Sequence, residues 1–151
     1  MLCRSIRHRR RGTTAVEFAI ACPILFFLLL ATMIGGMGVF RYQQVAALAR
    51  EGARWACVHG GEYEQQTGIA AATPEDVFNQ AILPAATMLK AEHLSYSVTW
   101  DQSNMPLQVT DDVQEPFGNT VTVTVTYQWF PEMYVMGPFT LTSSSTVQMM
   151  Y

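Results

Sequence analysis

Residues 18–40 read FAIACPILFFLLLATMIGGMGVF, 23 positions without a charge, and no other feature restricts the fold as much. As a helix this run is about 35 Å long at roughly 1.5 Å per residue, against a hydrocarbon layer of about 30 Å, so it is long enough to cross a bilayer. A soluble protein can hold an all-apolar helix only by covering it on every side. A chain of 151 residues leaves about one modest domain to do so. The membrane-crossing reading therefore leads.

The charges flanking the run set its orientation. Residues 1–12 hold five arginines (Arg4, Arg7, Arg9, Arg10, Arg11) and no acid, whereas the remainder holds four basic and twelve acidic side chains. A basic cluster can serve nucleic acid, anionic lipid or membrane topology. Standing directly before an apolar span, it reads as a topology signal, with the N-terminus cytoplasmic and the acidic body outside, and not as a nucleic-acid site. Cys3 lies in the leader and Cys22 in the span, so Cys57 alone is left in the body. No bridge can form within that body, and Cys57 reads as a small buried hydrophobe ahead of an intermolecular bridge.

Three secretory signals compete for the N-terminus. A cleaved signal peptide has about 7 to 15 apolar residues ending at small ones, but this run continues past Leu30 without such a site, so the segment stays in the protein. The stretch before Cys22 faintly suggests a lipoprotein site, yet most of the apolar run follows Cys22 and Glu17 interrupts what precedes it. The third reading uses more residues: RRRG at 9–12 followed by TTAVEF at 13–18 resembles a type IV prepilin signal, in which a basic leader ends in glycine and the mature chain carries Glu at its fifth position. Counting Thr13 as the first residue, Glu17 is the fifth. The resemblance implies cleavage between Gly12 and Thr13 by a membrane prepilin peptidase and an assembly role for Glu17. The chemistry agrees, because a lone carboxylate at the edge of an apolar helix is costly and the new α-amine of Thr13 lies one turn away, or on a neighbouring subunit.

Within the span, Pro23 predicts a kink, and Ala31, Gly35, Gly36 and Gly38 leave room for a second membrane helix to approach. Beyond Arg41 the helical pattern continues through Val45, Leu48, Ala49, Gly52 and Ala56 to about Val58, where His59, Gly60 and Gly61 predict a left-handed glycine stop. The segment AREGARWA at 49–56, with Arg50, Glu51, Gly52, Ala53 and Arg54 as its core, resembles TadE-like proteins, as does the leader, and it follows the span at that family's distance. The resemblance implies a minor pseudopilin supporting assembly of a tight-adherence (Flp, type IVb) pilus or a related secretion apparatus. It also implies partners in the inner membrane: the prepilin peptidase, other pilins and pseudopilins, and the tight-adherence machinery proteins.

The rest reads as a small α+β head. Residues 62–72 lack periodicity and read as a loop, after which Thr73 with Pro74, Glu75 and Asp76 is a strong helix start. That helix is expected over 74–91, with Val77, Phe78, Ala81, Ile82, Ala85, Met88 and Leu89 inward and a kink or split at Pro84. Strands follow at 94–100, weakly at 107–113, at 120–130 as TVTVTVTYQWF, and at 139–151. In the third of these Val121, Val123, Val125 and Tyr127 share one face and threonines the other. The fold class is α+β and pilin-like: a leader (1–12), a transmembrane and assembly helix (13–41) continuing into an extracytoplasmic head (42–151) with a second helix and a three- to four-stranded antiparallel sheet.

Little suggests catalysis. Of three histidines His8 is in the leader, and Cys57 with His59 forms a C-x-H pair without the second pair a closed zinc site needs; His93 stands alone. Asp111, Asp112 and Glu115 read as a solvated turn ahead of a cation site, and Tyr96, Trp100, Tyr127, Trp129 and Tyr134 as core and edge packing ahead of an interface. No phosphate loop, nucleophile elbow or zinc helix occurs. The expectation is a structural, non-enzymatic protein without cofactor or metal. The alternatives are an anchored enzyme or solute-binding domain, which requires a concave polar pocket, and an adaptor that is never cleaved.

Overall fold

The computed structural model describes residues 10–101, 104, 119–131 and 137–150. The chain divides between Val39 and Phe40 into two units. Helix α1 (Arg10–Val58) contributes to both.

In the first unit α1 carries its large apolar side chains outward, with Phe18 71%, Phe27 69% and Met33 68% exposed. Phenylalanine and leucine on every side of a helix are stable only in an apolar surrounding. Among the described residues this is the one helix long and apolar enough to cross a membrane. Pro23 lies inside it.

The second unit (Phe40–Tyr151) is α+β. After α1 come α2 (Gly61–Thr67), α3 (Pro74–Val77) passing into a π-turn (Phe78–Ile82) and α4 (Leu83–Ala85), a 3₁₀ turn (Ala91–His93), and strands β1 (Leu94–Trp100), β2 (Thr120–Trp129) and β3 (Phe139–Gln148). The strands form an antiparallel sheet in the order β1-β2-β3, with Val98 opposite Val123 and Val123 opposite Ser145. The alternation in β2 sorts as its sequence requires: Val121, Val123 and Val125 are fully buried, as are Val45, Ala49, Ala53 and Ala56 of α1. The other face of the sheet is hydroxylic. Register sets Ser95, Thr126 and Thr142 in one row, Ser97, Thr124 and Ser144 in the next, and Thr99, Thr122 and Thr146 in a third. Thr122 and Thr146 hydroxyls lie 2.8 Å apart and those of Thr126 and Thr142 3.1 Å. β-Branched hydroxyls suit a pleated face turned to water, since they keep strand propensity and satisfy one another. The expected strand at 107–113 and the acidic turn at 111–115 lie outside the described residues, as does Tyr134.

Four expectations need correction. Residues 61–67 are helical, because Glu62 and Glu64 stand at the positive end of α2 and Gly68, at φ 75°, closes it with its N–H on Glu64 O at 2.8 Å. The left-handed glycine is thus Gly68, one helix later than expected. Gly60 is extended (φ −87°, ψ −165°) and starts α2. The carbonyls at the end of α1 and just past it are met elsewhere: Cys57 O accepts from Met150 N at 3.1 Å and His59 O from Ala72 N at 3.0 Å. Third, the helix expected over 74–91 ends at Ala85, and Ala85 and Met88 are exposed. Pro84 has no N–H for the carbonyl one turn back, and the chain widens just before it, with Leu83 N donating to Phe78 O five residues away. Fourth, β3 ends at Gln148, where its ladder with β2 runs out.

The start of α3 is a reciprocal cap. Asp76 N donates to Thr73 Oγ1 at 3.3 Å, while the Asp76 carboxylate accepts from Thr73 N at 2.9 Å and Thr73 Oγ1 at 2.6 Å. The Thr73 hydroxyl and then its backbone N–H hold the Asp76 carboxyl below its ordinary 3.8. A carboxyl lowered on folding contributes stability above its unfolded pKa and loses it as pH falls through the folded value. Thr73→Ala is expected to cost about 1 kcal/mol at neutral pH. The Asp76→Asn chain should lack part of the native loss of stability as pH falls from 3.8 through the folded value, as followed by denaturant titration.

Candidate functional site

The residues that carry the prepilin resemblance lie at the start of α1. Arg4, Arg7 and Arg9 are outside the described residues. Gly12 is helical and exposed, and a β-carbon added there meets nothing within 4 Å. A glycine inside a helix costs about 1 kcal/mol relative to alanine, and here no packing compensates it. Thr13 and Glu17 are also exposed and stand four residues apart, on one face of α1. Glu17 therefore projects at the border of the apolar run, with the backbone nitrogen of Thr13 one turn behind it. Gly35 and Gly36 likewise have open space where a side chain would be, which leaves that stretch of helix thin.

The second segment, residues 50–54, divides by function. Gly52 and Ala53 face inward, and Arg50, Glu51 and Arg54 face solvent. A β-carbon on Gly52 would lie 3.1 Å from Ile82 Cγ1, 3.1 Å from Val123 Cγ1 and 3.3 Å from Ile82 Cδ1. Glycine at 52 thus lets α1 press against the π-turn and the central strand together. Arg50 and Arg54 are one turn apart, so their like charges oppose helix formation slightly and bring no packing in return. The Cys57 thiol one turn on is buried and donates to Arg54 O at 3.1 Å. Burial pushes its pKa up, partly opposed by the Arg54 charge, which leaves a packing residue with little thiolate.

His59 does not join Cys57 in a site. Its ring stacks on Trp55 at 4.0 Å, tilts against Tyr63 at 4.9 Å, and Nδ1 lies 2.8 Å from Trp55 O, to which it can only donate. His93 packs on Phe130 at 5.0 Å beside Glu92 at 3.6 Å. Among the described residues no group of three His, Cys, Asp or Glu is placed to hold a metal. Tyr96 stacks on Phe78 at 4.4 Å and Trp129 tilts on Phe139 at 5.9 Å, so these aromatics serve packing. A groove of about 590 Å³ runs between Gln44, Leu48, Glu51 and Trp55 of α1 and the segment from Gln80 to Leu89. Glu51 is the one titratable residue among the described residues of its lining.

Sequence reasoning passed over Arg41, which it used only as the end of the apolar run. Its Nη1 donates to Met88 O at 2.6 Å and to Gln44 Oε1 at 3.2 Å, tying the turn after α4 to α1. Nothing in the local pattern signals a contact across 47 positions. Asn104, whose Nδ2 donates to Ala72 O at 2.5 Å, is a second such tie.

Residues 12–54 match the family model described as TadE-like protein. The match begins at the glycine of the leader motif and ends at the last arginine of the REGAR core. Neither a curated protein nor a solved structure matches the chain. From Gly12 to Arg54, the segment that holds both motifs, this chain is similar to TadE-like proteins.

Proposed function

We propose that this chain is a prepilin-type subunit, cut between Gly12 and Thr13 on the cytoplasmic face of the inner membrane, that acts as a minor pseudopilin in assembly of a tight-adherence pilus or a related secretion apparatus. Its part is structural and not enzymatic: α1 anchors and assembles, and the α+β unit is presented outside. The observation that carries this reading is the family match over residues 12–54, because it joins the processing glycine, the Glu17 carboxylate and the REGAR segment in one unit. Gly12 supports it further, since a helix-weakening residue in open space suits a bond that must unwind into a peptidase. Partners are the peptidase, other pilins meeting the thin face at Gly35 and Gly36, and machinery proteins meeting the outward charges of Arg50, Glu51 and Arg54.

Glu17 is the assembly residue in this reading. Unpaired in hydrocarbon its carboxylate is expensive, and the α-amine freed at Thr13, on its own chain or a neighbour, is the positive partner at hand. Glu17→Gln keeps size and removes charge. The expected result is normal insertion, near-normal processing and a folded α+β unit, but weakened crosslinking to partner pilins in membranes. Unchanged partner association, or an unfolded α+β unit, would contradict the role.

A further inference from the structure

We propose that β3 is an interface between two copies of this chain: its outer edge pairs antiparallel with the partner's β3, Ser144 opposite the partner's Ser144, and joins two three-stranded sheets into one. The contact lies wholly within the Phe40–Tyr151 unit and needs no maturation at Gly12. β3 ends the sheet, and among the described residues nothing pairs with its far side. Met149 N donates to Asn119 O at 2.7 Å, so the odd-numbered residues of β3 turn their backbone groups to β2. The even-numbered ones, from Thr140 to Gln148, turn theirs away from the sheet. The 2.8 Å approach of the Thr122 and Thr146 hydroxyls agrees, because side chains come closest where a residue pair shares no backbone hydrogen bonds. Thr140, Thr142, Ser144, Thr146 and Gln148 are all exposed, and no residue of β3 is buried.

Sheet edges are ordinarily blocked by a lysine, a proline, a bulge or a short strand. β3 runs 10 residues, FTLTSSSTVQ, with no charge, no proline and no break in its register with β2. A second copy is selected because the strand reads alike in both directions about Ser144. In antiparallel pairing centred there, Ser143 meets the partner's Ser145, Thr142 the partner's Thr146, and Leu141 the partner's Val147, each contact occurring twice by symmetry. The threonine pairs repeat what β2 and β3 already make, Thr122 with Thr146 and Thr126 with Thr142. Leu141 and Val147, half-buried in one copy, cover each other on the inward side. The outward backbone groups bond among themselves, with Ser144 N–H donating to the carbonyl of the partner's Ser144. Centring the pair on Ser143 or Ser145 instead sets Leu141 or Val147 against serine, so the side chains fix the register.

Two full chains carrying Cys3→Ser and Cys22→Ser, one with Ser143→Cys and the other with Ser145→Cys, are co-expressed, purified in detergent and oxidised with copper–phenanthroline. Opposed without shared hydrogen bonds, positions 143 and 145 stand about 4.5 Å apart between Cα atoms, within the roughly 4.4 to 6.8 Å that a disulfide spans. The expected result is a bridged dimer from the co-expressed pair and about fivefold less from either chain alone, whose thiols lie on a diagonal too long to bridge. Ser144→Pro should abolish the bridge and leave the α+β unit protease-resistant, since proline is tolerated on an edge whose N–H points outward and blocks pairing there. If Ser144→Pro unfolds the unit, Ser144→Glu sets like charges across the symmetry axis and should abolish the bridge instead. No bridge from the co-expressed pair overturns the pairing. Equal bridging from Ser143→Cys alone, or a bridge that survives in a folded Ser144 variant, overturns it as well, since the copies would then meet without this register.

Discussion

Gly52→Val is expected to lower the stability of the Phe40–Tyr151 unit by about 3 kcal/mol, a large part of the roughly 5 to 15 kcal/mol that holds a domain together. The first added carbon alone would meet Ile82 Cγ1 and Val123 Cγ1 at 3.1 Å. Neither neighbour can turn aside into water, because both are fully buried, one on the π-turn and one on the central strand. The two further methyls of valine then force the helix off the sheet. Gly52→Ala tests the same contact more gently: helix propensity returns about 1 kcal/mol, which offsets part of the squeeze. Adding Val123→Ala should relieve Gly52→Ala more than additivity allows, since the two positions touch. Denaturant titration of the full chain in detergent reads all three. A Gly52→Val chain as stable as the native one would contradict the packing described.

Gly12→Leu is expected to act in the opposite manner, leaving stability intact and abolishing maturation. Nothing lies within 4 Å of the added side chain, and leucine is the better helix former, so the substitution disturbs no described contact. The effect on processing should nonetheless be close to all-or-none, because the bulk falls at the residue whose carbonyl would be cut in the proposed maturation and the stiffer turn resists unwinding. Membranes from cells with active prepilin peptidase should then hold the chain with its leader. Mature chain in normal amount would show that Gly12 is not read by the peptidase.

These two glycines show what a sequence discloses. At Gly52 the helical recurrence of Val45, Ala49 and Ala56 already placed the residue inward, and the alternation of β2 placed Val123 inward. That they meet each other required the fold. Periodic stretches were legible for that reason: α1 to Val58 and β2 each repeat one pattern over many residues. What escaped was decided by single residues. α2 has no apolar period and rests on two first-turn acids and Gly68, while Pro84 ended the second helix near Ala85 and turned Met88 outward. The leader and REGAR motifs were legible as words, and the structure adds that the second divides into a packing half, Gly52 and Ala53, and an outward charged half, Arg50, Glu51 and Arg54. Arg41 was invisible as a clamp because its partner is a backbone carbonyl, which carries no sequence signature.

The central claim is that the chain is matured as a prepilin, and the intact mass of the native protein purified from membranes of peptidase-bearing cells tests it most directly. The expected mass is that of a chain beginning at Thr13, with Glu17 as its fifth residue and residues 18–40 retained. A native chain that keeps residues 1–12 under those conditions would contradict the account.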